Sequence, residues 1–344
     1  MKKVIIAEIA VLALLLVGIL IGCYCIAQPA FSEAPVQTDP AETDDTTATE
    51  PSTEVPTTAF VPDWPTYPAN RALLAKQYFV YDCNSESFLS ISGAQDERVY
   101  PASITKLFTA YVAMQYLKPD TQITAGSALD LVAWGSSVAK IQTGDVLTVE
   151  QLVEAMMLPS GNDAAYILAV EAGRAIMAKS EQITEDGGQS SASQLDAISA
   201  TTVFMNEMNE QALALGMTGT HFVNPDGIHD EYHYTTFEDL TILGKLAMEN
   251  ETIMQYAVIA KEQMTLHGET IEWKNTNALI DPNSPYYCRY AVGLKTGQTP
   301  SAGSCLLSAF IKDGQELLIG VFGCPEEEDR FDDTLQLFNE VVLE

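Results

Sequence analysis

This chain is poor in positive charge. Seventeen Lys and Arg stand against 47 Asp and Glu over 344 residues, a formal net charge of −30. Nothing in it resembles a basic patch, which excludes a nucleic-acid partner. Cysteine is sparse and badly spaced for chemistry. Cys23 and Cys25 sit in an apolar N-terminal run, and Cys83, Cys288, Cys305 and Cys324 are far apart, with no C-x-x-C among them. That excludes a disulfide scaffold and the common zinc and redox motifs. Cys305 and Cys324 fall in apolar, strand-like runs, where a free thiol packs as a small hydrophobe. Histidine is scarcer still, with four in all. His229 and His233 have the spacing of a metal pair, but Asp226, Gly227 and Tyr232 around them read as a polar loop. What the chain does have is apolar residues: 47% of it, enough for a sizeable core.

Lys2 and Lys3 precede an apolar run from Val4 to Ala27, broken only by Glu8. A charged start and then a membrane-spanning length place the remainder of the chain outside the cytoplasm. The run is long for a signal peptide, which favours an uncleaved anchor (residues 1–27). Leu20-Ile21-Gly22-Cys23 also looks like a lipobox, and cleavage after Ala27 is a third version. Residues 28–68 are rich in Asp, Glu, Thr and Pro and contain no Lys or Arg. Such a segment cannot bury enough apolar surface to offset its chain entropy and is expected to be an extended linker. A single folded domain is expected over 69–344.

Within that domain Gln77–Asp82 and Phe88–Ser92 read as a hairpin. A helix follows Pro101. Thr148 caps another, through Leu158. Pro159–Tyr166 forms a tight turn leading into a third. Residues 179–196 turn to Ser, Gln, Gly and Glu and read as an inserted surface loop, with helix resuming at Thr202 and ending at Gly216. Thr236–Glu249 is a further helix. Val292–Gly297, Gly303–Ile311 and Leu317–Gly323 read as strands, the last two joined by an Asp-Gly turn. Residues 326–344 form an acidic amphipathic helix. Strands flanking a helical middle indicate an α/β protein of the α+β type, an antiparallel sheet carrying helices.

The stretch Pro101-Ala102-Ser103-Ile104-Thr105-Lys106 carries the chemistry. Pro suits a first helical position, and residues three apart share a helix face, so Ser103 and Lys106 can meet. A serine hydroxyl needs a base beside it to act as a nucleophile. Lysine is such a base only when burial or a second cation lowers its pKa. Two further motifs follow in order, Ser160-Gly161-Asn162 in the tight turn and Lys295-Thr296-Gly297 in a strand. Together the three resemble the catalytic set of the penicillin-binding serine enzymes. Leu-Pro-Ser-Gly-Asn-Asp-Ala-Ala, His-Phe-Val-Asn-Pro-Asp-Gly and Gly-Leu-Lys-Thr-Gly-Gln-Thr narrow the resemblance to the low-molecular-weight D-alanyl-D-alanine carboxypeptidases, over about residues 70–335.

The resemblance implies a β-lactamase-like transpeptidase fold and a role for each residue. Ser103 attacks the carbonyl of a D-Ala-D-Ala bond in a peptidoglycan stem peptide, and Lys106 takes its proton. Ser160 relays that proton to the leaving amine. Asn162 holds the substrate amide and the Lys106 side chain. Lys295 helps keep Lys106 neutral, and with Thr296 binds the terminal carboxylate. Gly297 lets the strand approach the substrate backbone. The N–H groups of Ser103 and Gln298 form the oxyanion hole. β-Lactams would act as inhibitors by acylating Ser103, and neither a metal nor a cofactor is implied. Trp273–Asn277 reads as groove architecture. Too few residues follow Lys295 for the extra β domain and C-terminal anchor that many relatives carry. Two other readings stay open. A β-lactamase needs a base for deacylation, and no glutamate motif between Asn162 and Lys295 supplies one. A non-catalytic wall-binding or β-lactam-sensing module would not need complete catalytic motifs.

Overall fold

Apolar residues alternate or run continuously in five segments that pair into one sheet. The computed structural model describes residues 64–68, 71–183 and 195–343. Strands β1 (Gln77–Asp82) and β2 (Ser87–Ile91) form the expected hairpin, and β9 (Ala291–Thr299), β10 (Gly303–Lys312) and β11 (Gln315–Cys324) a meander. The order is β2-β1-β11-β10-β9, antiparallel throughout, so β1 closes onto β11 and β9 is left at an edge. Asp313 and Gly314 both have positive φ (52° and 85°) in the turn between β10 and β11. That is the backbone a two-residue hairpin turn demands.

Three short pairs lie outside the sheet. They are β3 (Arg98–Val99) with β6 (Thr235–Thr236), β4 (Gln122–Thr124) with β5 (Val146–Thr148), and β7 (Lys261–Leu266) with β8 (Glu269–Lys274). Helix α1 (Thr105–Ala113) lies behind one sheet face with α2 (Val149–Met157), α3 (Asn162–Ile183), α4 (Ala197–Ala214), α5 (Phe237–Glu249) and α6 (Glu251–Ala257). Helix α7 (Asp329–Val342) covers the other face with Phe331, Leu335 and Phe338. Phe338 stacks on Phe310 of β10 at 4.3 Å. Burying each such side chain contributes about 1.5–3 kcal/mol.

Helix α1 is buried almost all round, including its polar residues. Its hydroxyls therefore need partners. Thr105 Oγ1 bonds His233 Nε2 (2.8 Å), and Thr109 Oγ1 donates to the Pro225 carbonyl (2.7 Å). The loop after α4 thus satisfies the helix that carries the lysine.

The expected boundaries move in four places. The packed region includes Trp64, whose Nε1 donates to Asn339 Oδ1 (2.7 Å), so it starts before residue 69. Helix α3 continues to Ile183, past Lys179. Helix α4 starts at Ala197, not Thr202, because Asp196 caps it by accepting from the Ser199 N–H. Ser103 sits in a 3-10 turn (Ala102–Ile104) ahead of the α-helix. The apolar run of residues 1–27 and linker residues 28–63 lie outside the described residues. Among the described residues, no helix is long and apolar enough to cross a membrane.

Candidate active site

The turn bearing Ser103 is held in a conformation its sequence does not favour. Ala102 has φ +48°, the left-handed region that costs a residue with a Cβ about 1 kcal/mol or more. Two glycines press on it. A Cβ at Gly227 would lie 1.9 Å from the Ala102 carbonyl oxygen and 2.9 Å from the Ser103 nitrogen. A Cβ at Gly297 would lie 2.7 Å from the Pro101 carbonyl oxygen and 3.2 Å from the Ser103 nitrogen. Gly297 is therefore glycine to admit the nucleophile's own turn.

One turn on, Lys106 Nζ donates to Ser103 Oγ (2.8 Å) and to the Asp226 carbonyl (2.7 Å). Its side chain is fully buried, and burial lowers its pKa from 10.5 to about 8, against the opposing pull of the Asp226 and Asp163 carboxylates. Ser103 thus has beside it a base that is substantially neutral near pH 8. Lys295 is also buried. Its pKa is pushed well down by burial first, then by the charge of Lys106, then by Arg330. Of the two causes the sequence offered, burial and a second cation, burial leads at both lysines.

The Ser160 turn closes the site from a second side. Ser160 is buried, with φ +60°, at the end of α2. Gly161 N–H donates to the Ala155 carbonyl (2.9 Å), and a Cβ on Gly161 would lie 2.6 Å from Asp163 Oδ1. Asn162 N–H donates to the Ser137 carbonyl (2.8 Å), and Asp163 accepts from the Ala139 and Ile141 N–H groups (2.9 and 3.0 Å). The turn and the 134–141 loop are thereby fixed to one another. Among the described residues, neither Ser160 nor Asn162 hydrogen-bonds Lys106. The expected hold of Asn162 on that lysine is therefore not made; the Asp226 carbonyl makes it instead.

On β9, Lys295 Nζ donates to Thr276 Oγ1 and to the Thr296 carbonyl (both 3.3 Å), and the Thr276 and Thr296 hydroxyls bond at 2.5 Å. An open cleft of about 430 Å³ lies against this edge, lined by Ser103, Asn162, Gly227, Gln298 and Trp134 among others. Gln298 follows Gly297, which packs on Ser103, so their backbone N–H groups belong to one corner of the site.

The structure thus gathers the three motifs around one serine. It also supplies residues to which the sequence gave no role: the Asp226 carbonyl, Gly227, Asp163, Thr276 and Trp134. The first two stood inside the His-Phe-Val-Asn-Pro-Asp-Gly segment, and Thr276 inside Trp273–Asn277, so their motifs were visible without their tasks. His229 and His233 do not converge: His233 is buried against Thr105, and His229 meets the Tyr100 ring edge-on at 4.6 Å. Among the described residues, no group of three His, Cys, Asp or Glu could hold a metal ion.

Comparison with known proteins bears on the same residues. The profile of the D-alanyl-D-alanine carboxypeptidase family matches residues 65–175 and 192–326. A D-alanyl-D-alanine carboxypeptidase of Streptomyces sp. (strain K15) is 33% identical over 256 residues, 72% of this chain and 80% of that protein. The Escherichia coli (strain K12) D-alanyl-D-alanine carboxypeptidase DacC is 28% identical over 272 residues, 76% of this chain but 60% of that one. The solved Streptomyces K15 DD-transpeptidase superposes with a TM-score of 0.66 at 29% identity, covering 78% of this chain and 97% of that one. Penicillin-binding protein D2 of Listeria monocytogenes, in a cefotaxime-bound form, gives 0.61 at 25% identity, covering 78% and 98%.

Proposed function

The chain belongs to the D-alanyl-D-alanine carboxypeptidase family of serine hydrolases, and from that premise we propose that it removes the terminal D-alanine from peptidoglycan stem pentapeptides through an acyl-enzyme on Ser103. The observation that carries the reading is the 2.8 Å contact between Ser103 Oγ and a fully buried Lys106. Ser103 Oγ attacks the carbonyl carbon of the penultimate D-alanine, and its proton passes to neutral Lys106. The N–H groups of Ser103 and Gln298 receive the oxyanion; one such donor is worth about 3–4 kcal/mol in a well-studied hydrolase. The proton returns through Ser160 to the amine of the departing D-alanine. Lys295 and Thr296 hold the terminal carboxylate, with Thr276 orienting both. Water then attacks the ester, gives a proton to the base and frees Ser103. A β-lactam enters by the same attack and leaves slowly.

The apolar run of residues 4–27 supports an extracytoplasmic placement on a membrane anchor, with the acidic linker giving reach. N-terminal sequencing of the protein extracted from membranes separates an intact anchor from a processed one.

The test is D-alanine release from a stem pentapeptide ending in D-Ala-D-Ala, by the full chain and its Ser103→Ala variant. Release by the parent alone is expected. Release at the parent rate from Ser103→Ala would overturn the mechanism, and tight peptide binding without release would favour a non-catalytic module. The likeness to a DD-transpeptidase supports a second outcome for the same acyl-enzyme, capture by an amine in place of water. Mass analysis of products formed with an added amino-acid acceptor distinguishes the two. Rapid, repeated hydrolysis of nitrocefin would mark a β-lactamase instead.

A further inference from the structure

Among the described residues, strand β9 ends the sheet, so one of its edges has no strand partner. An extended peptide can add to such an edge. With the terminal carboxylate at Lys295 and Thr296 and the acyl carbonyl at Gln298, the donor peptide runs antiparallel to β9. Its earlier residues then pass Thr299 and Pro300. The open cleft lies there: Gln298, Thr299 and Pro300 share its lining with Ile228, His229 and Trp134.

Trp134 is the anomaly of this cleft. It is fully exposed, at 101% of its reference area. A tryptophan offers roughly 150–250 Å² of surface for burial, so leaving one in water forgoes a large apolar gain. The loop that carries it is nonetheless built firmly. Ser137 and Asp163 tie it to the Ser160 turn, and Trp273 Nε1 donates to the Ala139 carbonyl (2.9 Å). The ring stands on a fixed base in the wall of the cleft.

The charge of the lining decides what the ring can take. Among the described residues it contains no Lys or Arg; its one carboxylate, Asp226, is buried, and its one imidazole is His229, set edge-on against the Tyr100 ring. The chain as a whole carries −30. A substrate carboxylate would find no Lys or Arg here, whereas an ammonium finds an indole face, the best of the aromatic partners for a cation. We propose that Trp134 is the platform for a cationic side chain on the residue preceding D-Ala-D-Ala. The favoured donor is then a stem peptide with a diamino acid there whose distal ammonium is free and has no carboxylate beside it. The inference rests on the DD-peptidase reading above and adds its substrate class.

Two donors test it with the full chain: Nα-acetyl-L-Lys-D-Ala-D-Ala, with a free ammonium, and the Nα,Nε-diacetyl peptide, without one. The first is expected to have the higher kcat/KM, by about 3- to 10-fold. Trp134→Ala should bring that ratio close to one, and Trp134→Phe should keep part of it. Equal or reversed preference in the parent overturns the proposal, as does a preference that survives Trp134→Ala. A Trp134 dependence seen only with glycan-linked stem peptides also overturns it, in favour of stacking on sugar. If neither peptide releases D-alanine while a labelled penicillin still acylates Ser103, the DD-peptidase reading has failed and the inference falls with it. Failure of the ratio alone leaves that reading standing.

Discussion

Lys106 is where catalysis and stability pull in opposite directions. Its ammonium is taken wholly out of water, and the pKa falls from 10.5 to about 8. The neutral form is the base, and it predominates above that value. kcat/KM should therefore rise with pH along a limb centred near 8 and fall below it; a flat profile from pH 6 to 9 would remove Lys106 from the role. The Asp226 carboxylate opposes the shift. Asp226→Asn removes that negative charge, so the limb should move to lower pH, and an unmoved limb would mean that the carboxyl does not act on the lysine. The same depression bears on folding. The folded chain holds this proton less tightly than the unfolded one, so below pH 8 the lysine weighs against the fold in full. That penalty shrinks as pH rises through 8 and is gone above the unfolded value. At neutral pH it is about 3 kcal/mol by linkage. Lys106→Met keeps the volume and removes the charge, while leaving Ser103 Oγ without its donor and the Asp226 carbonyl with only the 3.5 Å hydrogen bond from the Ser103 hydroxyl. We expect a net gain of about 1–2 kcal/mol, a rise of a few degrees in Tm, and no D-alanine release. A lower Tm would show that the lysine's two hydrogen bonds outweigh its burial.

At the scale of elements, the site is a turn clamped between a loop and a strand. Gly227, with φ +85°, leaves no room for a Cβ against Ala102. Gly227→Ala should fold, because the loop is anchored independently through Asn209, which bonds the Phe222 backbone. The Ser103 turn should shift, however, and acylation by a labelled penicillin should slow by about 100-fold, the cost typical of a 1 Å misplacement. Acylation at the parent rate would show that the turn holds its place without the clamp. Much of this architecture was legible. The β10–β11 hairpin announced itself by two apolar runs around Asp313-Gly314, and the α2 start by Thr148, whose capping box with Gln151 is formed. The β7–β8 hairpin was not, because its strands are mostly exposed and polar and its turn is His267-Gly268, both at positive φ. A hairpin with one weakly apolar face carries little period-2 signal. The clamp itself was out of reach for another reason. Gly227 and Gly297 are 70 positions apart in the chain, and only the folded structure shows both against Ser103. The motifs could be read, but not which backbone each glycine makes room for.

At the scale of the molecule, the segment before β1 straps α7 to the sheet, on the face away from Ser103. Arg71 Nη1 donates to Asp333 Oδ1 (2.7 Å) and Gln336 Oε1 (2.9 Å), while the Leu74 and Ala75 N–H groups donate to Asp333 Oδ2 (2.7 and 2.6 Å). Asp333 is fully buried, and these donors satisfy its two carboxyl oxygens. Trp64 completes the strap, packing on Tyr290 and Phe338 at ring distances of 5.2 and 5.9 Å. The strap and the site thus load opposite faces of one sheet, and β10 lies between them, carrying Phe310 against α7 and pairing with β9 beside the nucleophile. Removing the strap should therefore lower stability without altering the chemistry of the molecules that remain folded. Trp64→Ala creates a large void at one end and should cost about 3–5 kcal/mol. Asp333→Asn, which breaks the pair with Arg71 in a buried setting, should cost a similar amount. In both, the urea midpoint should fall while the rate of Ser103 acylation per folded molecule stays at the parent value. A parallel loss of acylation in still-folded protein would mean that the sheet transmits strain from α7 to β9, and that residues 64–75 belong to the active-site scaffold as well as to the core.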